Sequence, residues 1–413
     1  HASMNTRNSF LTLKKPTYLR KATPTLLSSN AASEDAQAKI ILDKERALGI
    51  LVLLSVPLSW GTYGPVVRYL YELQPPVPGF VFSAAYYVVA SLALLTLSST
   101  QQTRSIDYNE TEQDNVSLII SENNDFESTK VPIIGGLELG TYLFLGNGLQ
   151  ILGLKTVPAD RAGFLVQLTT VMVPIVQAIF SGNLKEIPIP TWGACLLAFT
   201  GVVIMGLDGK ESMLLLSNEN GGLWSSLSSS LSTFTQGDLL IVLAAFVYTL
   251  HVVRLGKYAK ETTPLKLAAS KATTEAMLSV GLVSLLWFIG NMASGDASGL
   301  LGYARETGRG ISTFFSTISQ GLASGAVPRS ALVPALCATI WTGLVTCAYT
   351  IYAQSFGQRR VSPTEANLIY TVQPIFTALF AWGLLGETLG PAGFIGAACI
   401  GSSVYTVAMM NNK

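Results

Sequence analysis

The stretch that decides the fold occurs twice in the chain. The first copy reads Gln150-Ile-Leu-Gly-Leu-Lys-Thr-Val-Pro-Ala-Asp-Arg-Ala162, and the second reads Gln354-Ser-Phe-Gly-Gln-Arg-Arg-Val-Ser-Pro-Thr-Glu-Ala366. The offset that aligns them also places Gly182 on Gly386 and Met205 on Met409. A similarity sustained over this distance indicates one unit that occurs twice.

Each copy contains five apolar segments, and most are near the ~20 residues that a bilayer core demands. An odd number of spans means that the second copy enters the membrane upside down relative to the first. Inverted repeats of this kind place a binding site at the midplane between them. The sequence therefore predicts an all-α polytopic membrane protein with ten transmembrane helices in two inverted five-helix repeats. The predicted spans are 48–70, 79–98, 132–154, 161–181, 190–207, 238–256, 266–290, 333–355, 364–385 and 389–409.

The composition excludes several classes of protein. Charged residues make up 12% of the chain, about half of what a soluble surface needs, and the formal net charge of +1 argues against a nucleic-acid partner. All four cysteines lie in apolar spans without a CxxC neighbour, and only His1 and His251 supply imidazole. We therefore expect no metal site and no enzymatic activity.

The predicted organisation has four parts. Residues 1–46 form a basic tail, 47–208 the first repeat, 209–236 a linker and 237–410 the second repeat. The polar segment 101–129 is predicted to be a flexible loop. The segment 291–331 is predicted to be an unstructured linker, and the alternative is a short interfacial helix from Ile311 to Leu322.

Basic residues beside the spans favour an inner location for both termini. The segment Met4–Ser33 is basic, rich in Ser and Thr and free of acids, which is typical of an organellar transit peptide. A plastid envelope or another organelle membrane is one interpretation, and a cytosolic basic tail is the other.

Further motifs carry a family resemblance. They are Ser59-Trp60-Gly61, the run from Ala162 to Pro174, and the run from Glu365 to Pro374 with Leu385-Gly386-Glu387-Thr388 after it. Together with the two five-span copies, they resemble the EamA-type members of the drug/metabolite transporter superfamily over residues 47–410. The resemblance implies a ten-helix secondary carrier without a cofactor.

The two copies differ from each other in places. The first has Gly182-Asn183 where the second has Gly386-Glu387. In the first copy a proline lies twelve residues after Ala162, and in the second copy it lies eight residues after Ala366. The difference between the two spacings is about one helical turn. Whether the two halves gate equally is therefore open.

The first span is predicted to contain a break that lines the substrate path, because Pro57 and Pro65 remove backbone donors beside Gly61 and Gly64. A packing kink is the alternative. Trp60 and Tyr63 lie on this span, and alignment of the two Val-Val-Arg runs sets Phe246 against Trp60, so the two aromatic rings could bracket a ligand.

Charged side chains in the spans are costly and suggest function. Glu138 is predicted to be a proton-coupling carboxylate, with an interfacial glutamate as the alternative. Lys271 and Glu275 lie four residues apart on one helix face, where we expect them to pair, or to bind an anion. Arg68 and Arg254 occupy matching positions near opposite mouths, and so do Arg161 and Glu365. They are candidates for gating, and snorkelling to the interface is the alternative.

Polar side chains elsewhere in the spans could orient a solute by hydrogen bonds, or join helices. The candidates are Asn147, Gln150, Gln167, Tyr248, His251, Tyr349, Asn367, Tyr370 and Gln373.

These patterns predict a secondary carrier that alternates access to a midplane cavity. Its partners would be the lipid bilayer and a small neutral or zwitterionic metabolite, such as an amino acid, with possible proton coupling. The chain would act as a monomer or homodimer. The alternatives are an exchanger of phosphate esters or nucleotide sugars, and a structural subunit of a membrane complex that no longer transports.

Overall fold

The structure is a computed structural model that describes residues 24–63, 66, 70, 77–112, 121–153, 156–157, 159–183, 187–206, 235–292, 299–325, 329–386, 388 and 390–410. The chain divides into two compact units, residues 1–45 and 46–413. In the first unit the described part, from residue 24, is helical.

The described residues form helices and contain no strand. In chain order the helices are α1 Pro24–Gly61, α2 Gly79–Glu112, α3 Ser121–Gly153, α4 Ala159–Val166, α5 Thr169–Ser181, α6 Ile189–Gly206, α7 Gln236–Glu261, α8 Pro264–Met292, α9 Gly299–Ser324, α10 Arg329–Trp341, α11 Thr350–Gln358, α12 Pro363–Tyr370, α13 Gln373–Leu385 and α14 Pro391–Met410. A π-helical segment, Thr342–Tyr349, connects α10 directly to α11.

Within these described ranges, five helical segments are long and apolar enough to cross a membrane: Gly79–Gln101, Gln236–Glu261, Pro264–Met292, Leu332–Gln358 and Pro391–Ala408. Two shorter apolar helices are Thr169–Ser181 and Ile189–Met205. The predicted fourth span contains the pair α4 and α5, and the predicted ninth contains α12 and α13.

These two helix pairs are interrupted at equivalent places. The repeat offset carries Ala159–Val166 onto Pro363–Tyr370 and Thr169–Ser181 onto Gln373–Leu385. At both interruptions the backbone tightens to i→i−3 hydrogen bonds, for example Leu168 N to Leu165 O at 3.2 Å and Val372 N to Ile369 O at 3.2 Å. The interruptions therefore coincide although the prolines do not.

The proline positions account for only one interruption. Pro374 is the second residue of α13, where its missing N–H and its ring disturb the turn around Tyr370. Pro174 lies inside α5, beyond the interruption at Gln167 and Leu168. In the first repeat another cause must tighten the backbone.

Glycines on α3 bring it close to two helices of the second repeat. A Cβ atom on Gly136 would lie 2.0 Å from Ser270 Oγ of α8, and one on Gly146 would lie 2.5 Å from the Tyr248 ring of α7. Side chains larger than hydrogen are excluded from these contacts. The first and second repeats therefore pack against each other directly through α3.

Two predictions about connecting segments were wrong. In the segment 101–129, α2 continues to Glu112 and α3 begins at Ser121, whereas we had predicted a loop throughout. In the segment 291–331, the 26-residue helix α9 replaces the predicted linker and is longer than the alternative interfacial helix. Contact with α8 explains why a segment rich in Ser and Gly is helical, because tertiary packing overrides weak propensity.

Candidate functional site

Two charged residues of α8 lie fully inside the protein. Lys271 is 0% exposed and Glu275 is 1% exposed, although they belong to the residue types that are almost never buried without a partner. The predicted ion pair between them is absent among the described contacts. Lys271 Nζ lies instead 3.2 Å from His251 Nε2 and 3.4 Å from Gln354 Oε1. The lysine turns towards α7 and α11 because both offer it a buried acceptor.

The carboxylate of Glu275 is less well satisfied than the lysine. It interacts with the Tyr87 hydroxyl of α2. Its Oε2 atom is buried and has no hydrogen-bond partner among the described residues. An unsatisfied buried carboxylate oxygen is costly and suggests a ligand or a bound proton.

Hydrogen bonds extend this cluster across both repeats. Asn147 of α3 donates to the Tyr87 hydroxyl at 3.2 Å, and the Tyr248 hydroxyl of α7 donates to Gln150 Oε1 at 2.9 Å. Four of the predicted site residues, Asn147, Gln150, Tyr248 and His251, therefore lie around Lys271 and Glu275. We refer to these six residues with Tyr87 and Gln354 as the buried polar cluster.

A small pocket adjoins the buried polar cluster at Asn147. Ser279, one turn beyond Glu275 on α8, also lines it. The other lining residues are Phe80, Ser83, Phe144, Gly148, Ile151 and Leu282. The pocket combines a few polar groups with apolar and aromatic walls, and its volume of about 10 Å³ has room for little more than one water molecule.

Glu138 lies in an ion pair, whereas its predicted role assumed an unpaired carboxylate. Arg254 binds its carboxylate in a bidentate manner, with Nη2 donating to Oε2 at 2.7 Å. The hydroxyls of Tyr258 and Tyr142 also donate to it. The sequence-based premise of an unpaired carboxylate was therefore wrong, because α3 and α7 pack side by side and present opposite charges to each other.

Glu365 also forms an ion pair, with the last residue of the basic tail. Its side chain accepts from the Ser362 N–H in a capping box at the start of α12, and from Arg46 Nη2 at 3.0 Å. Capping stabilises the helix terminus. Of the matching arginines, Arg161 lies in α4 with its side chain outside the described residues, and Arg68 lies outside them altogether.

Trp60 lies beside an aromatic residue that the alignment of the repeats did not indicate. Its ring lies 5.4 Å from that of Tyr370, on α12, and Phe246 is 44% exposed on α7. Alignment of the repeats could not reveal this, because Tyr370 has no aromatic counterpart in the first copy. The Tyr370 hydroxyl accepts from Gln358 Nε2 at 3.3 Å.

The remaining predicted residues are dispersed. Tyr63 lies 6.4 Å from Tyr86 ring to ring, and the exposed Tyr349 bonds to Ser55 Oγ. Asn367 is 4% exposed, and its Nδ2 has no partner among the described atoms. Gln167 lies in the turn before α5, and Gln373 begins α13. Gly64 and Pro65 of the predicted break lie outside the described residues, whereas α1 ends at Gly61.

Sequence reasoning missed several residues of the region. Tyr86 and Tyr87 are buried in α2, and Cys347 lies in the π-helical segment near Lys271 and Glu275. Adjacent tyrosines inside an apolar span were a usable signal, because a buried hydroxyl needs a partner. The π-helix had no signal in the sequence, although such segments often occur at functional sites.

Gln177 was missed as well. Its Oε1 atom accepts from both the backbone N–H and the hydroxyl of Thr364, which joins α5 to α12.

The apolar helices and the duplicated unit define an integral, multi-pass membrane protein. Residues 47–207 and 235–409 match the EamA-like transporter family, and the chain belongs to this family. This confirms the resemblance inferred from the motifs.

Other comparisons add information on the fold alone. One solved crystal structure, described simply as that of a protein, is similar with a TM-score of 0.56 and 14% sequence identity, over 89% of this chain and 98% of that chain. A comparison with curated proteins found no match. Among the described residues, no group of three His, Cys, Asp or Glu side chains could hold a metal ion.

Proposed function

We propose that the protein is a secondary carrier of a small zwitterionic organic solute, such as an amino acid. It would have ten spans in two inverted five-helix repeats and alternate access around the buried polar cluster. The observation that carries this proposal is the complete burial of one cation, Lys271, and one anion, Glu275, on one helix face without an ion pair between them.

The hydrogen-bonding capacity left at both groups supports a zwitterion. A lysine ammonium has three donors, and only His251 and Gln354 accept from Lys271 among the described residues. Glu275 has one oxygen without a partner. A solute with a carboxylate and an ammonium group would satisfy both and leave no net charge buried.

Phosphate esters fit this environment less well, because their recognition needs several cationic groups. Glu138 binds Arg254, and Glu365 binds Arg46. Lys271 is then the single cation of the buried polar cluster. The dianionic headgroup of a phosphate ester would remain undercompensated there.

Proton coupling would involve Glu275 rather than Glu138. The carboxylate of Glu138 already has a guanidinium and two hydroxyls as partners, so its charge is stabilised. Glu275 has the Tyr87 hydroxyl as its partner and no guanidinium among the described contacts. Glu275 would therefore be protonated when no solute is bound and ionised when the solute is bound.

Two ion pairs would take part in alternating access. Glu138–Arg254 combines one residue from each repeat, and Arg46–Glu365 joins the last residue of the basic tail to the second repeat. Their regions are close, because Gly256 of α7 packs against Pro363 at the start of α12. Both pairs would hold this end closed, and solute binding must favour the open conformation enough to break them.

The membrane in which this carrier acts is part of the proposal. The basic tail 1–46 would direct the chain to an organelle membrane such as the plastid envelope, with both termini on the inner side. A monomer or homodimer would suffice, because each chain contains both repeats.

Counterflow into proteoliposomes tests the proposal. Vesicles preloaded with one amino acid at a time from a panel of twenty should accumulate the same labelled amino acid for at least one member. The variants Lys271→Met and Glu275→Gln should abolish that accumulation, and Glu261→Gln, an exposed carboxylate at the end of α7, should not.

A structural subunit without transport is the second candidate. The complete burial of Lys271 and Glu275 favours it, because a filled interior leaves little room for a solute. Absence of counterflow across amino acids, organic acids and sugar phosphates, with correctly folded protein, would support this candidate and exclude the carrier.

A further inference from the structure

Helix α9 carries an apolar stripe on its second half. The stripe consists of Ile311, Phe314, Phe315, Ile318 and Leu322, with the spacing of one face of an α-helix. Thr313 and Gln320 lie on the opposite face, and residues 311–324 contain no charged side chain. This half of α9 is therefore amphipathic through apolar and uncharged polar groups.

The stripe begins inside the protein. Ile311 is 0% exposed and packs in a cluster with Phe80 and Leu286. A Cβ atom on Gly308 would lie 1.9 Å from the Leu286 carbonyl oxygen, so α9 contacts the backbone of α8 there. The contact fixes the position of α9 on α8 and leaves no room for it to slide.

Further along α9, side chains of the same stripe are exposed on the surface of the described chain. Phe315 is 46% exposed and Leu322 is 56% exposed. These side chains follow Ile311 by one and three helical turns, so the exposed apolar surface is continuous with the buried one. Something other than the described chain must cover it, because water would not.

The contact with α8 also fixes the depth of this surface. Ser312 Oγ donates to Asn291 Oδ1 at 3.0 Å, and Asn291 is the last but one residue of α8. At 1.5 Å per residue, a helix of this length spans about 43 Å, more than the ~30 Å hydrocarbon core. The end of α8, and with it Ser312, therefore lies at the headgroup level.

We propose that residues 312–324 of α9 form a membrane-surface helix, with Phe315 and Leu322 inserted at the boundary between headgroups and acyl chains. Thr313 and Gln320 then face water. A lipid–water boundary is the environment that satisfies an apolar face and a polar face at once. Because the segment lacks charge, it binds zwitterionic phosphatidylcholine and does not require an anionic lipid.

The proposal is independent of solute transport and is tested by tryptophan quenching in lipid nanodiscs. Phe315→Trp and Gln320→Trp place a reporter on opposite faces, five residues apart. Each is measured in phosphatidylcholine and in its brominated analogue, and the emission of the parent protein is subtracted. We expect bromine to quench most of the added emission of Phe315→Trp and little of that of Gln320→Trp.

Equal quenching of both reporters, or none at Phe315→Trp, would overturn the proposal. The second result would mean that protein covers the stripe. If Phe315→Trp folds poorly, Leu322→Trp provides a second reporter on the apolar face. The proposal requires that brominated phosphatidylcholine quenches its added emission as well. A brominated anionic lipid that quenches while brominated phosphatidylcholine does not would also contradict the proposal.

Discussion

Arg254 binds Glu138 through two hydrogen bonds that connect α7 of the second repeat to α3 of the first, with Nη2 donating to Oε2 at 2.7 Å. The side chains are 24% and 23% exposed, so solvent screens the pair in part. Tyr258 adds a hydroxyl to the same carboxylate oxygen. The ion pair links the two repeats at one place. Its positive charge lies on α7 and its negative charge on α3, so a pair of substitutions can exchange the two charges.

We predict that Arg254→Gln lowers the free energy of unfolding by about 2 kcal/mol, because it removes charge-assisted hydrogen bonds to a partly buried carboxylate. Thermal unfolding in detergent measures the loss. The exchange Glu138→Arg with Arg254→Glu should recover part of it. If the double variant is as unstable as the sum of its single substitutions, the pair does not couple the helices.

A second prediction concerns the buried polar cluster. Glu275→Gln replaces a buried carboxyl group whose Oε2 atom has no partner among the described residues, so the folded protein should be as stable as the wild type or more stable. Lys271→Met should cost about 1–3 kcal/mol, because it leaves His251 Nε2 and Gln354 Oε1 without their donor. Chemical unfolding of both variants provides the measurement, and a loss above about 3 kcal/mol in either would indicate a structural role.

Gly136 provides a test of the close contact between α3 and α8. Gly136→Ala places a Cβ atom 2.0 Å from Ser270 Oγ and 2.8 Å from the Ser270 backbone, so we expect destabilisation of about 1–3 kcal/mol. Gly281→Ala is the matched control, since a Cβ atom there meets nothing within 4 Å. It should be neutral or stabilising by helix propensity. Similar melting temperatures for both variants would refute the close contact.

Tyr370→Phe tests the contact between α11 and α12. The substitution leaves the Gln358 Nε2 group without its acceptor in a site that is 0% exposed, at a cost of about 1–3 kcal/mol. Tyr349→Phe removes a hydrogen bond of an exposed hydroxyl and should cost less. Differential scanning fluorimetry compares the two. A larger loss of stability in Tyr349→Phe than in Tyr370→Phe would show that the Gln358 contact does not form.

Some of the site was predictable because its signal is local. Lys271 and Glu275 are four residues apart in an apolar segment, which places both on one helix face whatever the rest of the fold does. Asn147, Gln150, Tyr248 and His251 could be singled out for a similar reason, since polar groups within spans need partners. Which partners they meet depends on other helices. Lys271 meets His251 and Gln354, twenty and eighty-three residues away.

Other features were not predictable from local patterns. Glu138 looked unpaired, because its partner is 116 residues away and becomes a neighbour only when α3 and α7 pack. Helix α9 looked like a linker, because its Ser and Gly content is unfavourable for a helix in isolation. Gly308 allows α8 to pack closely against α9, since a larger residue would collide with the Leu286 carbonyl.

The sequence by itself determined the class of protein. Apolar runs long enough for a bilayer and a repeat that aligns from Gln150 to Met205 with Gln354 to Met409 specify membrane helices in duplicate, because hydrophobicity and periodicity are local properties of the chain. The tertiary structure decided which charges are paired. Arg254 binds Glu138 while Lys271 and Glu275 remain apart, because the energy of a buried charge depends on the groups that other helices bring to it.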